Sequence, residues 1–365
     1  MKQLNTDLET LSNDRHVNIF HDPIRVKQIE LESKSTTGKP TFNAEFLKRA
    51  RFENYMVRKA ERLEGNIGYL KLDMFIDIQL SKPTLLSAMN FLSNSSALII
   101  DLRQNGGGNA STVNFLLNYF LPDSTLTGEF TSRLTKSTTK LYIEHDELVQ
   151  KFGGDIPLYI VVGKRTSSAA EAFAYTLQAF KRGIIIGDTT NGEANPGYAY
   201  LINSDMWMMI PTSINTNAIT KTNWQGVGVI PDEKIAQDKA LNAAQARAYE
   251  QMALMARNPQ IKNRYEWLSL EFRSKVQPVQ PSEKQLRAFA GTYADNRTII
   301  FDQQGLFYQR AGYSEKKKLY PLAENIFELE GAPYFRIRFI KSATGEIIGL
   351  EGMYDDGKKE ISKRL

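Results

Sequence analysis

The chain reads as an α/β core followed by a small antiparallel β domain, and three observations carry that reading. Short apolar runs bounded by turn residues alternate with helix-favouring stretches. Ala97-Leu-Ile-Ile-Asp-Leu102 and Pro157-Leu-Tyr-Ile-Val-Val-Gly163 have the pattern of buried strands, and Ala169-Ala-Glu-Ala-Phe-Ala-Tyr-Thr-Leu-Gln178 that of a helix. Strand and helix in alternation give α/β layers. Next, Val276-Gln-Pro-Val-Gln-Pro-Ser282 is a linker stiffened by two prolines. Beyond it the pattern changes. Thr298-Ile-Ile-Phe301, Leu306-Phe-Tyr-Gln309, Phe327-Glu-Leu329 and Tyr334-Phe-Arg-Ile-Arg-Phe339 are short strands separated by turns, with aromatics placed to pack a sheet.

Taken in order, residues 1–55 are polar and mixed, with a short helix over 6–12 and a strand over His16-Val-Asn-Ile-Phe20. A charged helix is expected over 45–62, then a strand, Asn66-Ile-Gly-Tyr-Leu-Lys-Leu72. Helices follow over 83–92 and 113–121, on either side of the strand that begins at Ala97. Arg182-Gly-Ile-Ile-Ile-Gly187 is another buried strand, and 198–203 with 206–211 read as a β pair. Residues 232–273 read as helix, since Ala240-Leu-Asn-Ala-Ala-Gln-Ala-Arg-Ala248 is strongly helix-favouring. The expected organisation is an N-terminal segment (1–55), a core (56–245), a helical linker (246–282) and a small β domain (283–365).

A chain of 365 residues is too long for one ordinary core. It has no cysteine, which excludes disulfides, thiolate metal sites and cysteine nucleophiles. Its only histidines are His16, His21 and His145, so no metal centre is expected, and no cofactor motif stands out. No apolar run is long enough to span a membrane. The net charge of +5 is scattered, without a basic stripe interleaved with aromatics, so nucleic acid is not an expected partner. Met1-Lys-Gln-Leu-Asn-Thr6 lacks the apolar segment of a signal peptide.

The chemistry gathers at two turns. Thr166-Ser-Ser-Ala-Ala-Glu171 joins a strand to a helix, and a hydroxyl there meets unpaired N–H groups that favour developing negative charge. The same serines are also good helix caps. Upstream, Gly106-Gly-Gly108 follows a strand, and glycine N–H groups in such a turn can cradle an anion. No Gly-Lys-Ser/Thr follows, so a nucleotide-binding loop is not indicated. A Gly-rich oxyanion donor with a serine at a helix start is an acyl-transfer arrangement.

Asp101-Leu-Arg-Gln-Asn-Gly-Gly-Gly108, Thr166-Ser-Ser-Ala-Ala-Glu171, Gly187-Asp-Thr-Thr-Asn-Gly-Glu-Ala-Asn-Pro-Gly197 and Asn223-Trp-Gln-Gly-Val-Gly-Val-Ile-Pro-Asp232 resemble, in order, the motifs of the C-terminal processing serine peptidases. Within that family they look closest to the branch holding the tricorn protease core and the interphotoreceptor retinoid-binding protein. The resemblance implies the superhelical fold shared with ClpP and crotonase, and Ser168 as nucleophile, with Ser167 as local competitor. The position at which processing proteases carry a lysine holds Glu193, which argues against a Ser–Lys dyad. Asn13-Asp-Arg-His-Val17 resembles the family's Asp-x-His segment and makes His16 the candidate base. His21 is the alternative; an odd separation along a strand turns the two to opposite faces.

Gln225 stands where the family usually has glutamate, and its carbonyl is the group expected to accept the imidazole N–H. Asp188 or Glu193 are substitute acids. The implied oxyanion donors are the N–H groups of Ala169 and Gly107. Gly106, Gly108 and Asn195 are expected to shape the substrate wall, while Asp101 and Arg103 brace the strand end. The implied partner is a peptide or unfolded protein, and the implied location is outside the cytoplasm. The second reading is a relative that is weak or inactive in catalysis and binds a hydrophobic ligand or peptide.

Overall fold

The computed structural model describes residues 1–12, 14, 16–34 and 42–365. Two compact units divide the chain, Met1–Ala244 and Gln245–Leu365. The first is built on a six-stranded sheet in the order Glu233–Lys234, Ile184–Gly187, Leu158–Val162, Ala97–Asp101, Ile67–Leu72, Val57–Leu63. All neighbours are parallel except the last pair. Ala97–Asp101 and Leu158–Val162 are buried along their whole length, as near-continuous apolar runs in a covered parallel sheet must be.

Helices Ile78–Phe91, Ala110–Leu117 and Ala169–Ala179 contribute Leu85, Met89, Leu116, Phe173 and Leu177 to one core with Leu98, Ile100, Ile160 and Ile185. Asp101 pairs in register with Val161, so the two adjacent strands end side by side. The Gly-rich turn leaves the carboxyl end of one, the serine turn that of the other. This is the edge at which open α/β sheets carry their sites. Two three-stranded antiparallel sheets complete the unit. One joins Leu126–Ser132 to Thr138–Tyr142 and Ser213–Asn217; the other joins Met206–Pro211 to Asn18–His21 and Gly197–Leu201.

The second unit carries eight antiparallel strands in consecutive order, from Gly291–Tyr293 to Lys359–Lys363. A bridge between Tyr293 and Arg364 brings the first strand to the end of the last, nearly closing a barrel. Phe289, Phe327 and Phe339 fill its interior, with Phe289 and Phe339 stacked at 4.2 Å. Phe327, Phe335 and Phe339 of this tail are therefore core, whereas Tyr313, Tyr320 and Tyr334 are exposed. Arg336 is fully buried here, its guanidinium 3.8 Å above the Trp267 ring and donating to the Trp267 carbonyl at 2.7 Å.

Several local expectations are corrected. The helix expected over 45–62 is a helix only at Ala44–Phe52; Val57–Leu63 is the edge strand of the main sheet. Asn54, Tyr55 and Met56 all take positive φ (47°, 51° and 63°), which stops the helix. The edge strand is half-exposed and charged, so it lacks the apolar signal of its neighbours. The helix expected over 232–273 is two, Ala240–Met255 and Pro259–Val276. Asn258 caps the second through Gln260 N–H at 2.8 Å, and Pro259 fits its first turn. Helix Pro23–Lys34 had no sequence signal strong enough to find it. The first strand begins at Asn18, so His16 precedes it.

Phe173 is fully buried at the centre of the first core. Phe173→Ala should cost this unit about 3–5 kcal/mol by lost transfer energy and cavity formation, read as a lowered midpoint in urea. A loss under about 1 kcal/mol would mean that the helix behind Ser168 is anchored elsewhere.

Candidate active site

Ser168 ends the turn between the Leu158–Val162 strand and the Ala169–Ala179 helix. Its backbone takes φ 51° and ψ −116°, a region that L-residues avoid. The residue is half-exposed. What maintains this conformation is Glu171, whose side chain is fully buried. Its Oε2 accepts the Ser168 N–H at 2.9 Å and the Glu193 N–H at 2.8 Å; its Oε1 accepts the Gly192 N–H at 2.6 Å and the Thr190 hydroxyl. Burial pushes the Glu171 carboxyl above its ordinary value, against the pull of these hydrogen bonds.

Asn105, also fully buried, ties the other side of the site. Its Nδ2 donates to the Leu72 carbonyl at 2.9 Å, its Oδ1 accepts the Gly107 N–H at 2.9 Å, and its carbonyl accepts the Ser167 N–H at 3.1 Å. Thr166 closes the turn by donating to the Leu102 carbonyl at 2.8 Å. Gly107 takes φ 102°, and a Cβ there would stand 2.8 Å from Ser168 Cβ and 2.9 Å from the Ser167 carbonyl oxygen. Only glycine lets the two turns touch.

These contacts correct one expected donor. The Gly107 N–H already belongs to Asn105. Gly106 and Gly108, whose N–H groups have no partner among the described residues, line a cavity together with Ser168. Ala169, first in its helix, also keeps an unpartnered N–H, as helix starts do. The hydroxyl of Ser167 is taken by Glu193, which leaves Ser168 as the serine facing the cavity.

That cavity, about 1030 Å³, is also lined by His16, Glu193, Phe20, Trp207 and Met209. The His16 ring is 9% exposed, with Nδ1 3.4 Å from Asp14 Oδ1, and neither ring nitrogen makes a hydrogen bond among the described residues. His21 is exposed on the neighbouring strand and does not line it. Asn13 and Arg15 of the sequence motif lie outside the described residues. A second cavity, about 570 Å³, is also lined by Ser168, with Ala169, Phe130, Trp224 and Ala194 on its walls.

Gln225 does not accept from His16. Its Oε1 takes the N–H groups of Ala194 at 2.8 Å and Asn195 at 3.2 Å. Asn195 lines neither cavity; its side chain accepts from Asn223 at 3.3 Å, so it braces the loop rather than a substrate wall. Asp101 is likewise structural. Burial alone would raise its carboxyl, but Arg103, bonded at 2.7 and 2.9 Å, and the Tyr69 hydroxyl at 2.8 Å hold it below its ordinary value. Asp188 sits 3.7 Å from Lys164. Glu171 and Asn105 were given no role in the sequence reading. The Ser-Ala-Ala-Glu spacing of a capping box was the signal for the first; nothing distinguished Asn105 from an ordinary turn asparagine.

Among the described residues, no cluster of acids and histidines could hold a metal ion, and no helix is long and apolar enough to cross a membrane.

Residues 66–235 match the model of peptidase family S41. The tail-specific protease of Haemophilus influenzae is 32% identical over 100 residues, 27% of this chain and 13% of that protein, so the chain matches only a small part of that relative. Among solved structures, a putative peptidase from Parabacteroides merdae is 18% identical with a TM-score of 0.45, covering 64% of this chain and 75% of that one. The photosystem II D1 C-terminal processing protease is 20% identical with a TM-score of 0.39, over 47% and 43% of the two chains. The stretch that matches the family model encloses the Gly-rich turn, the Ser168 elbow and the Gln225 loop.

Proposed function

We propose that the protein is a serine-type peptidase with Ser168 as nucleophile and His16 as general base. The observation that carries this reading is the strained Ser168 backbone, φ 51° and ψ −116°, set on the wall of a cavity that also holds His16. His16 Nε2 takes the hydroxyl proton as Ser168 Oγ attacks the peptide carbonyl. The oxyanion is met by Ala169 N–H and by the N–H of Gly106 or Gly108, each donor being worth roughly 3–4 kcal/mol in the transition state. His16 then gives its proton to the departing amine, and water hydrolyses the acyl-enzyme by the same route. His16 and Ser168 are not hydrogen-bonded here, and such contacts commonly tighten only when substrate binds.

The substrate is an extended or unfolded polypeptide. Two cavities that share Ser168 suit a chain that passes the nucleophile rather than a small molecule that ends there. We place this activity outside the cytoplasm, on the likeness to exported processing peptidases. A second reading, an apolar-ligand binding protein, is favoured by Gln225 in the acid position and by the Phe20, Trp207 and Met209 lining.

A fluorophosphonate probe followed by peptide mapping separates the two. Labelling at Ser168, lost in Ser168→Ala and slowed at least about 100-fold in His16→Ala, supports the peptidase. Absence of labelling in folded protein, with uptake of a fluorescent fatty-acid probe, would install the binding reading. Ser168→Gly addresses the strain itself: it should abolish labelling and raise stability by about 1 kcal/mol, because glycine accepts this conformation without a Cβ clash. A stability loss would show that Ser168 is held there by its own side-chain contacts.

A further inference from the structure

We infer that Asp14 is the carboxylate that positions His16, in the part that Gln225 cannot take in this chain. The inference rests on the Ser168–His16 reading above and concerns how the base is held. Asp14 and His16 are both largely shielded, with side chains 16% and 9% exposed. Asp14 Oδ1 accepts the His16 backbone N–H at 2.9 Å and stands 3.4 Å from Nδ1 of the same residue. A small rotation of the ring closes that gap to a hydrogen bond. Nδ1 then keeps its proton toward Asp14, and the Nε2 lone pair is left for the Ser168 hydroxyl.

Every other acid near the site is engaged. Glu193 holds the Ser167 hydroxyl, Glu171 holds the elbow with four hydrogen bonds, and Asp188 lies against Lys164. Gln225 has spent its carbonyl on Ala194 and Asn195. Its Nε2 is buried and closes no hydrogen bond of good geometry, yet it lies near enough to Asp14 to favour the anion. Burial pushes the Asp14 carboxyl up, but the contacts from His16 and the Gln225 amide outweigh it and hold the carboxyl below its ordinary value. A glutamate at position 225 would set a second negative charge beside Asp14. An amide adds no such charge. The charged member of the relay has thus moved from the Trp-Gln-Gly loop to the Asp-x-His segment, and the amide supports it from behind.

The test uses the intact chain with ¹⁵N-labelled histidines. With only His16, His21 and His145 present, His16 is assigned by comparison with His16→Ala. The expected result is a neutral His16 that carries its proton on Nδ1, and a shift toward the Nε2–H tautomer in Asp14→Asn with an unchanged thermal midpoint. Labelling of Ser168 should slow by about 10²- to 10⁴-fold in that variant, the scale of a wrong tautomer in a serine triad, and recover in part in Asp14→Glu. Gln225→Glu is the independent arm: two carboxylates sharing one site should slow labelling near neutral pH. An unmoved tautomer with labelling within about threefold of the parent, or faster labelling in Gln225→Glu, overturns the role of Asp14 and leaves the peptidase reading standing. A tautomer that depends on Asp14 in a protein that never labels keeps Asp14 as the positioning group and removes the peptidase reading instead.

Discussion

The buried carboxylate of Glu171 is the constraint on which the site depends. One side chain collects hydrogen bonds from the start of its own helix and from the loop at 190–193. An isolated buried carboxylate is costly, so the four donors are compelled to converge on it. That convergence holds Ser168 in a backbone conformation it would otherwise leave. It also carries the loop that brings Glu193 to Ser167, and so disposes of the competing hydroxyl. Strain at the serine and satisfaction at the glutamate are two ends of one arrangement.

Asn105 does for the glycine turn what Glu171 does for the serine turn. It is neutral, so it incurs no charge desolvation, and its amide offers a donor and an acceptor at once. With these it bonds the end of one strand and its own turn, while its backbone carbonyl takes the N–H before Ser168. Gly107 then fits where no Cβ can. The result is a rigid contact between two turns whose parent strands are neighbours in register. Among the described residues, the N–H donors of Ala169, Gly106 and Gly108 are left unpaired beside this frame.

What could be read from the sequence follows from how local each signal is. Ala97–Asp101 and Leu158–Val162 are buried on both faces, so their apolar runs were plain. The serine elbow sits between an apolar strand and an alanine-rich helix, and both flanks announce it. Val57–Leu63 was hidden because an edge strand shares its burial with solvent and carries charge. The division of labour among polar groups was hidden for a different reason. Whether Gly107 or Gly106 offers its N–H depends on where Asn105 points, and whether Gln225 faces His16 depends on the backbone at Ala194 and Asn195. The Asn105 side chain is set by a bond to Leu72 and the Gln225 side chain by bonds to Ala194 and Asn195, all about thirty residues away, and residue type alone does not choose between such partners.

The Gln225 position shows why an absent acid is not equivalent to an absent function. Read in isolation, an amide in place of a carboxylate removes the charge that an imidazolium needs. In the folded chain the same amide is a cross-link: its carbonyl fixes two consecutive N–H groups of the loop, and its nitrogen is buried and carries no charge. A carboxylate could keep these contacts but would repel Asp14. Given a carboxylate already placed two residues before the histidine, an amide is the group that suits both neighbours. The substitution is then better understood as the partner of Asp14 than as the loss of a glutamate.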